Sequence, residues 1–63
     1  QVYARNRARV ESWGNSVINA YDSSVVEAHG KSRVFAWDKS DVTTYGQSKC
    51  YFDYGFKGEI RKA

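Results

Sequence analysis

The sequence predicts an all-β fold: a short β-solenoid of eight-residue repeats with two strands per coil over residues 1–52, closed by a C-terminal cap over residues 53–63. Three observations predict it. An apolar residue recurs at every eighth position, as Val2, Val10, Ile18, Val26, Val34, Val42 and Cys50. Around each one, inward and outward residues alternate, which is the period of a strand with one buried face. A second period of sixteen overlies the first, so successive octads occupy two different environments.

Each octad can be read in order. It opens on a small residue, Ala8, Ser16, Ser24, Ser32, Ser40 or Ser48, two positions before the apolar one. Two positions after it comes Ala4, Ser12, Ala20, Ala28, Ala36, Thr44 or Phe52. Strands are therefore expected over 8–12, 16–20, 24–28, 32–36, 40–44 and 48–52, with the small and branched residues inward. Val, Ala and Ser suit two sheets lying close together, where leucine would not fit. The inward serines are expected to bond corner backbone groups that would otherwise be buried and unpaired.

Three corner residues separate the strands, as in Trp13-Gly14-Asn15, Tyr21-Asp22-Ser23, His29-Gly30-Lys31 and Trp37-Asp38-Lys39. Their middle residue alternates through Asn6, Gly14, Asp22, Gly30, Asp38 and Gly46. Gly, Asn and Asp tolerate the positive φ of a tight corner. The outward residue after each valine position alternates too, giving one ladder of Tyr3, Asn19, Phe35 and Tyr51 and another of Glu11, Glu27 and Thr43. Two octads per coil produce this directly. A triangular coil would give a period of twenty-four. The remaining alternative is an antiparallel β meander or small barrel, but a single sheet of small inward residues has nothing to bury against.

The motifs Asn15-Ser16-Val17-Ile18-Asn19-Ala20-Tyr21, Ser24-Val25-Val26-Glu27-Ala28-His29-Gly30 and Ser32-Arg33-Val34-Phe35-Ala36-Trp37-Asp38 resemble those of the octapeptide-repeat proteins of bacteria and their phages, whose repeats read like Asn-Ser-Ser-Val-Glu-Ala-Tyr-Gly. The resemblance covers about residues 8–52 and implies a β-solenoid of bacterial or phage origin. It carries over no catalytic residue. Cys50, Phe52 and residues 53–63 depart from the pattern.

Composition limits the functions further. Sixty-three residues make one domain, and a chain this short buries only about 60% of its unfolded surface. One cysteine permits no internal disulfide, and one histidine with one cysteine makes a poor zinc set. No apolar run approaches the ~20 residues of a membrane-spanning helix. A net charge of +3 permits an acidic partner without demanding one.

Candidate sites follow from the ladders. Tyr3, Phe35 and Tyr51 line one face with Arg33 and Lys49 beside them, a surface able to stack sugars or bases. Trp13, Tyr21, Trp37 and Tyr45 are corner aromatics, and His29 occupies a corner position of the same kind. Asn6, Asp22 and Asp38 stack along one edge, but one carboxylate per corner without paired glycines is ordinary turn chemistry rather than a calcium roll. Cys50 holds a valine position and reads as a buried, inert thiol. Thr43 and Thr44 are the only threonines, too few for an ice-binding array. No cofactor, metal or nucleophile constellation is legible.

The expected function is a non-catalytic structural or protein-interaction module that self-associates or docks through its ends and faces. Its expected partner is another copy or another protein. The alternative is a module that binds polysaccharide or nucleic acid through the aromatic and basic face. The segment 53–63 is expected to fold over the last coil with Tyr54, Phe56 and Ile60 inward. The opposite end, where the repeat begins at once, is expected to pair with a second chain as a symmetric dimer or a continuing filament.

Overall fold

In the computed structural model, which describes residues 2–63, the chain is a two-sided β-solenoid. Its strands are β1 (Val2–Ala4), β2 (Arg9–Ser12), β3 (Val17–Ala20), β4 (Val25–Ala28), β5 (Arg33–Ala36), β6 (Asp41–Thr44), β7 (Lys49–Phe52) and β8 (Glu59–Lys62). Odd strands form one sheet in the order β1-β3-β5-β7, and even strands form the other in the order β2-β4-β6-β8. Every pairing is parallel. Ile18 pairs with Val34 and Val26 with Val42, sixteen residues apart. The meander is excluded, since it would pair consecutive strands antiparallel.

The core is the column set foreseen. Ile18, Val26, Val34 and Val42 are wholly buried between the sheets, with Ala20, Ala28 and Ala36 beside them. Val10 and Cys50 are only partly buried, because each lies in an end coil with packing neighbours on one side. Ser16 is also only partly buried, whereas Ser24, Ser32, Ser40 and Ser48 are enclosed.

Regular strands from β2 to β7 begin one residue later than the octad suggests, because the small residue before each closes the corner; Ala8 does so by backbone alone, its N–H donating to Arg5 O at 3.1 Å, and the serines add a hydroxyl. Ser24 ends a turn: its N–H donates to the Tyr21 carbonyl at 3.2 Å, and its hydroxyl donates to the same oxygen at 2.7 Å. Ser40 does the same to Trp37, at 3.3 Å and 3.0 Å. The hydroxyls of Ser16 and Ser32 reach the Trp13 and His29 carbonyls at 3.1 Å and 2.9 Å. Where that small residue is serine, its short hydroxyl also satisfies the corner carbonyl, and the strand starts after it.

Each of the six corners from β1 to β7 turns on one residue of positive φ. Asn6, Asp22 and Asp38 hold φ of 61°, 60° and 59°, and Gly14, Gly30 and Gly46 hold 75°, 74° and 63°. Backbone hydrogen bonds continue round the corners: Ser23 N–H donates to Asn6 O, and Lys39 N–H to Asp22 O, both at 2.9 Å. The ladder is therefore unbroken between coils.

The C-terminal segment rejoins this ladder. Glu59–Lys62 pairs with β6 in parallel, Val42 opposite Ile60 and Thr43 opposite Arg61, eighteen residues apart instead of sixteen. The two extra residues widen the corner after Asp53. Lys57 N–H donates to the Asp38 carbonyl at 2.7 Å, so it sits where Lys39 sits one coil earlier. Gly58 takes the serine position, where a Cβ would lie 1.9 Å from the Ser40 carbonyl oxygen. Phe56 and Ile60 pack against the core as expected of inward residues, while Tyr54 points wholly into solvent.

The glycine corners make a quantitative prediction. A Cβ on Gly14 would meet nothing, but one on Gly30 would lie 3.0 Å from Gly14 N and 3.1 Å from Gly14 O. Gly14→Ala should cost only the left-handed strain, about 1 kcal/mol. Gly30→Ala should cost roughly 1 kcal/mol more through backbone overpacking. Urea midpoints should fall in the order wild type, Gly14→Ala, Gly30→Ala; equal midpoints for the two variants would contradict the close approach.

Candidate functional site

Because strands stack in register, the outer surface is organised into columns. On the odd-strand sheet Tyr3, Asn19, Phe35 and Tyr51 form one column, and Val17, Arg33 and Lys49 form the next. All five residues of the expected interaction face are therefore on one sheet. Phe35 and Tyr51 stack with ring centroids 5.4 Å apart and planes 23° from parallel. Stacking along the column uses the ring faces on one another, so this part of the column presents ring edges outward. The inner faces are thus not available to a sugar or base. Asn19, between Tyr3 and Phe35, has a solvent-shielded Nδ2 without a hydrogen-bond partner.

The four corner aromatics divide between the two edges. Trp13 and Tyr45 share the glycine edge with His29 between them, at centroid distances of 4.0 Å and 4.4 Å and planes within 8° of parallel. Tyr21 and Trp37 stack at 6.1 Å on the opposite edge, and the Arg5 guanidinium lies 5.6 Å from the Tyr21 ring centre. In-register corners leave one ring directly over another, and near-parallel stacking is the result.

The edge of Asn6, Asp22 and Asp38 is occupied by its own backbone. Asn6 N–H donates to Asp22 Oδ2 at 3.0 Å, and Asp22 N–H donates to Asp38 Oδ2 at 3.1 Å. Each carboxylate reaches the corner of the preceding coil. Among the described residues no three His, Cys, Asp or Glu side chains converge as a metal site would require.

Carboxylates are unevenly distributed between the faces. Glu11, Glu27, Asp41 and Glu59 stand on the even-strand sheet, and Asp22, Asp38 and Asp53 on the Tyr21–Trp37 edge. Among the described residues no carboxylate side chain stands on the outer face of the odd-strand sheet or on the glycine edge. Lys31, Arg33 and Lys49 there, with Lys62 from the even-strand sheet, line an open groove of about 620 Å³ with Ser32, Ser48 and Tyr51. Sequence reasoning found Arg33 and Lys49 but not Lys31 or Lys62. Reading the corner column Asn15, Lys31 and Gln47 would have found Lys31. Lys62 was hidden by the two-residue expansion before β8.

On the even-strand sheet, Arg61 bridges two acids. Its Nη2 lies 2.5 Å from Asp41 Oδ1 and its Nη1 2.7 Å from Glu59 Oε2. The hydrogen bond and charge of Asp41, with those of Glu59, hold its guanidinium above its ordinary pKa.

Comparison of the chain with protein-family profiles, with curated proteins and with solved structures yields no match.

Burial pushes the Cys50 thiol up to about 11. The reactive thiolate thus forms only near that pH. Alkylation by iodoacetamide at pH 8 should run roughly a hundredfold slower than for a free cysteine, and should accelerate steadily toward pH 11. Mass spectrometry of timed aliquots checks this; rapid labelling at pH 8 would show an accessible thiolate.

Proposed function

We propose that this chain is a non-catalytic structural module of the octapeptide-repeat type known from bacteria and phages, acting by docking through the ends of its solenoid. The observation that carries the reading is the state of the edge strands. Among the described residues, β1 and β2 at one end and β7 and β8 at the other have a hydrogen-bonded neighbour on one side only. Such edges offer rows of unpaired N–H and C=O groups that template further strands. They also carry exposed apolar side chains: Tyr3 and Trp13 are 58% and 65% exposed at one end, and Phe52 is 63% exposed at the other. Burying these rims supplies a hydrophobic contribution to docking.

Sedimentation over a concentration series, with hydrogen exchange on the same samples, tests this reading. The mass should rise above 7.2 kDa in the micromolar range, and amides of β1 and β2 should gain protection as it rises. A single 7.2 kDa species with unprotected edge amides at every concentration would defeat it.

A second reading, binding of an anionic polysaccharide or a nucleic acid, is favoured by the groove of Lys31, Arg33, Lys49 and Lys62, which lacks any carboxylate. Four phosphate or sulfate contacts would make affinity fall steeply with salt. Lys31→Glu with Lys49→Glu should abolish retention on a sulfated-polysaccharide column and binding to single-stranded DNA. Unchanged, salt-independent behaviour of the variant would remove this reading and leave the docking one intact.

A further inference from the structure

We infer that copies of this chain stack head to tail in unbroken register, with β7 and β8 of one copy seated on β1 and β2 of the next. The inference rests on the end-docking reading and specifies the partner as a second copy in one orientation.

It follows from the columns. Each column ends in one residue at the β7/β8 end and begins in another at the β1/β2 end. Continuing the stack by one coil sets the last residue of a column against its first. On the even-strand sheet, Arg9, Val25, Asp41 and Glu59 form one column, Val10, Val26, Val42 and Ile60 the second, and Glu11, Glu27, Thr43 and Arg61 the third. A junction therefore brings Glu59 to the next copy's Arg9, Ile60 to its Val10 and Arg61 to its Glu11. On the odd-strand sheet it brings Cys50 to Val2 and Tyr51 to Tyr3, lengthening the apolar and aromatic columns. At the corner, Asp53 follows Phe52 as Trp37 follows Ala36, so it meets Arg5.

Three of the four aligned charged pairs are of opposite sign, Lys57 over Arg7 being the exception; of the four inward pairs, Ile60–Val10, Cys50–Val2 and Phe52–Ala4 are apolar, and Lys62 meets Ser12. The interior of the chain is less well matched. Glu11 stands directly beside Glu27, and Asp41 beside Glu59. Like charges opposite one another in a sheet are destabilising. Asp41 and Glu59 have Arg61 between them, at 2.5 Å and 2.7 Å. Glu11 and Glu27 have no salt-bridge partner among the described residues, and a stacked copy's Arg61 supplies one. The Glu59–Arg61 pair on one strand edge against Arg9–Glu11 on the other makes a two-by-two checkerboard of charge.

Orientation is decided by the same geometry. A two-fold pairing of like ends reverses strand direction at the junction. The corners of one copy then no longer lie over the corresponding corners of the other, and Asp53 has no Arg5 beneath it. Head-to-tail contact keeps the parallel ladder and the corner columns. In the widened corner Phe56 packs against the core and Tyr54 stands in solvent, and the match is made along the strand edges. A head-to-tail contact is heterologous; a repeat built on translation does not close, so it yields a filament.

The experiment reverses the checkerboard at one end at a time. One variant carries Arg9→Glu and Glu11→Arg; the other carries Glu59→Arg and Arg61→Glu, which leaves an arginine in register beside Asp41. Circular dichroism first confirms that each is folded. Alone, each variant sets like charges against like at every junction, and its assembly by sedimentation should be at least roughly tenfold weaker than wild type. An equimolar mixture restores opposite charges at both kinds of junction, so it should assemble as wild type does, with the two variants alternating. If wild type assembles and each variant alone does so equally well, head-to-tail stacking is overturned; end docking then stands if the β1 and β2 amides gain protection on assembly and falls if they do not. If both variants fail and the mixture fails too, the charges do not face each other and the register is wrong. If wild type stays monomeric throughout, stacking and end docking both fall.

Discussion

Every interior residue of this protein lies against its own counterpart one coil away, and that constraint governs what the chain can hold. Valine over valine or isoleucine builds a dry core column. Gly30 over Gly14 brings backbones so close that even one added carbon would crowd them. Aromatic over aromatic becomes a near-parallel stack. Aspartate over aspartate would repel, yet each corner carboxylate turns to accept an N–H from the neighbouring corner. Charge-assisted hydrogen bonds of this kind are stronger than neutral ones, which explains why the positive-φ position can be aspartate on one edge and glycine on the other.

The same constraint explains what was legible in the sequence. A repeat that must tolerate itself leaves a strict period, so the octad, the two-strand coil, the parallel register and the core from Ile18 to Val42 could all be read from spacing. What spacing missed lies where the period is broken or finite. β8 was not foreseen as a strand, because the wider corner moves its inward residue from position 58 to Ile60. Val10 and Cys50 hold core positions but lie in end coils, and a period carries no information about where a stack stops. The basic groove was half legible: Arg33 and Lys49 share a column, while Lys31 belongs to a corner and Lys62 to the other sheet. The aromatic column was located correctly, but its rings turn their faces to each other, a preference that residue type alone does not reveal.

Ends and faces serve different chemistry here. The odd-strand face holds Arg33 and Lys49 without an acid among the described residues, the even-strand face holds Arg9 and Arg61 with most of the acids, and each end carries both signs beside apolar residues. A module that docks by its ends would keep its broad faces free. In a head-to-tail assembly the groove of one copy would then recur along the fibre at about four strand spacings, roughly 19 Å. A weak anion site on one copy would become a multivalent one.

The even spacing of strand partners has a consequence for how the chain folds. Pairing partners are sixteen residues apart from β1 to β7 and eighteen at β8. All-β chains usually fold slowly because their contacts join distant parts of the sequence. In this topology the separation is the same for each coil, so the entropic cost of closing a coil does not grow as coils are added. Forming the first pair of coils is the slow event, and each later coil finds a finished template at a fixed, short distance along the chain. A longer solenoid of this design would thus take almost no longer to begin folding than this one.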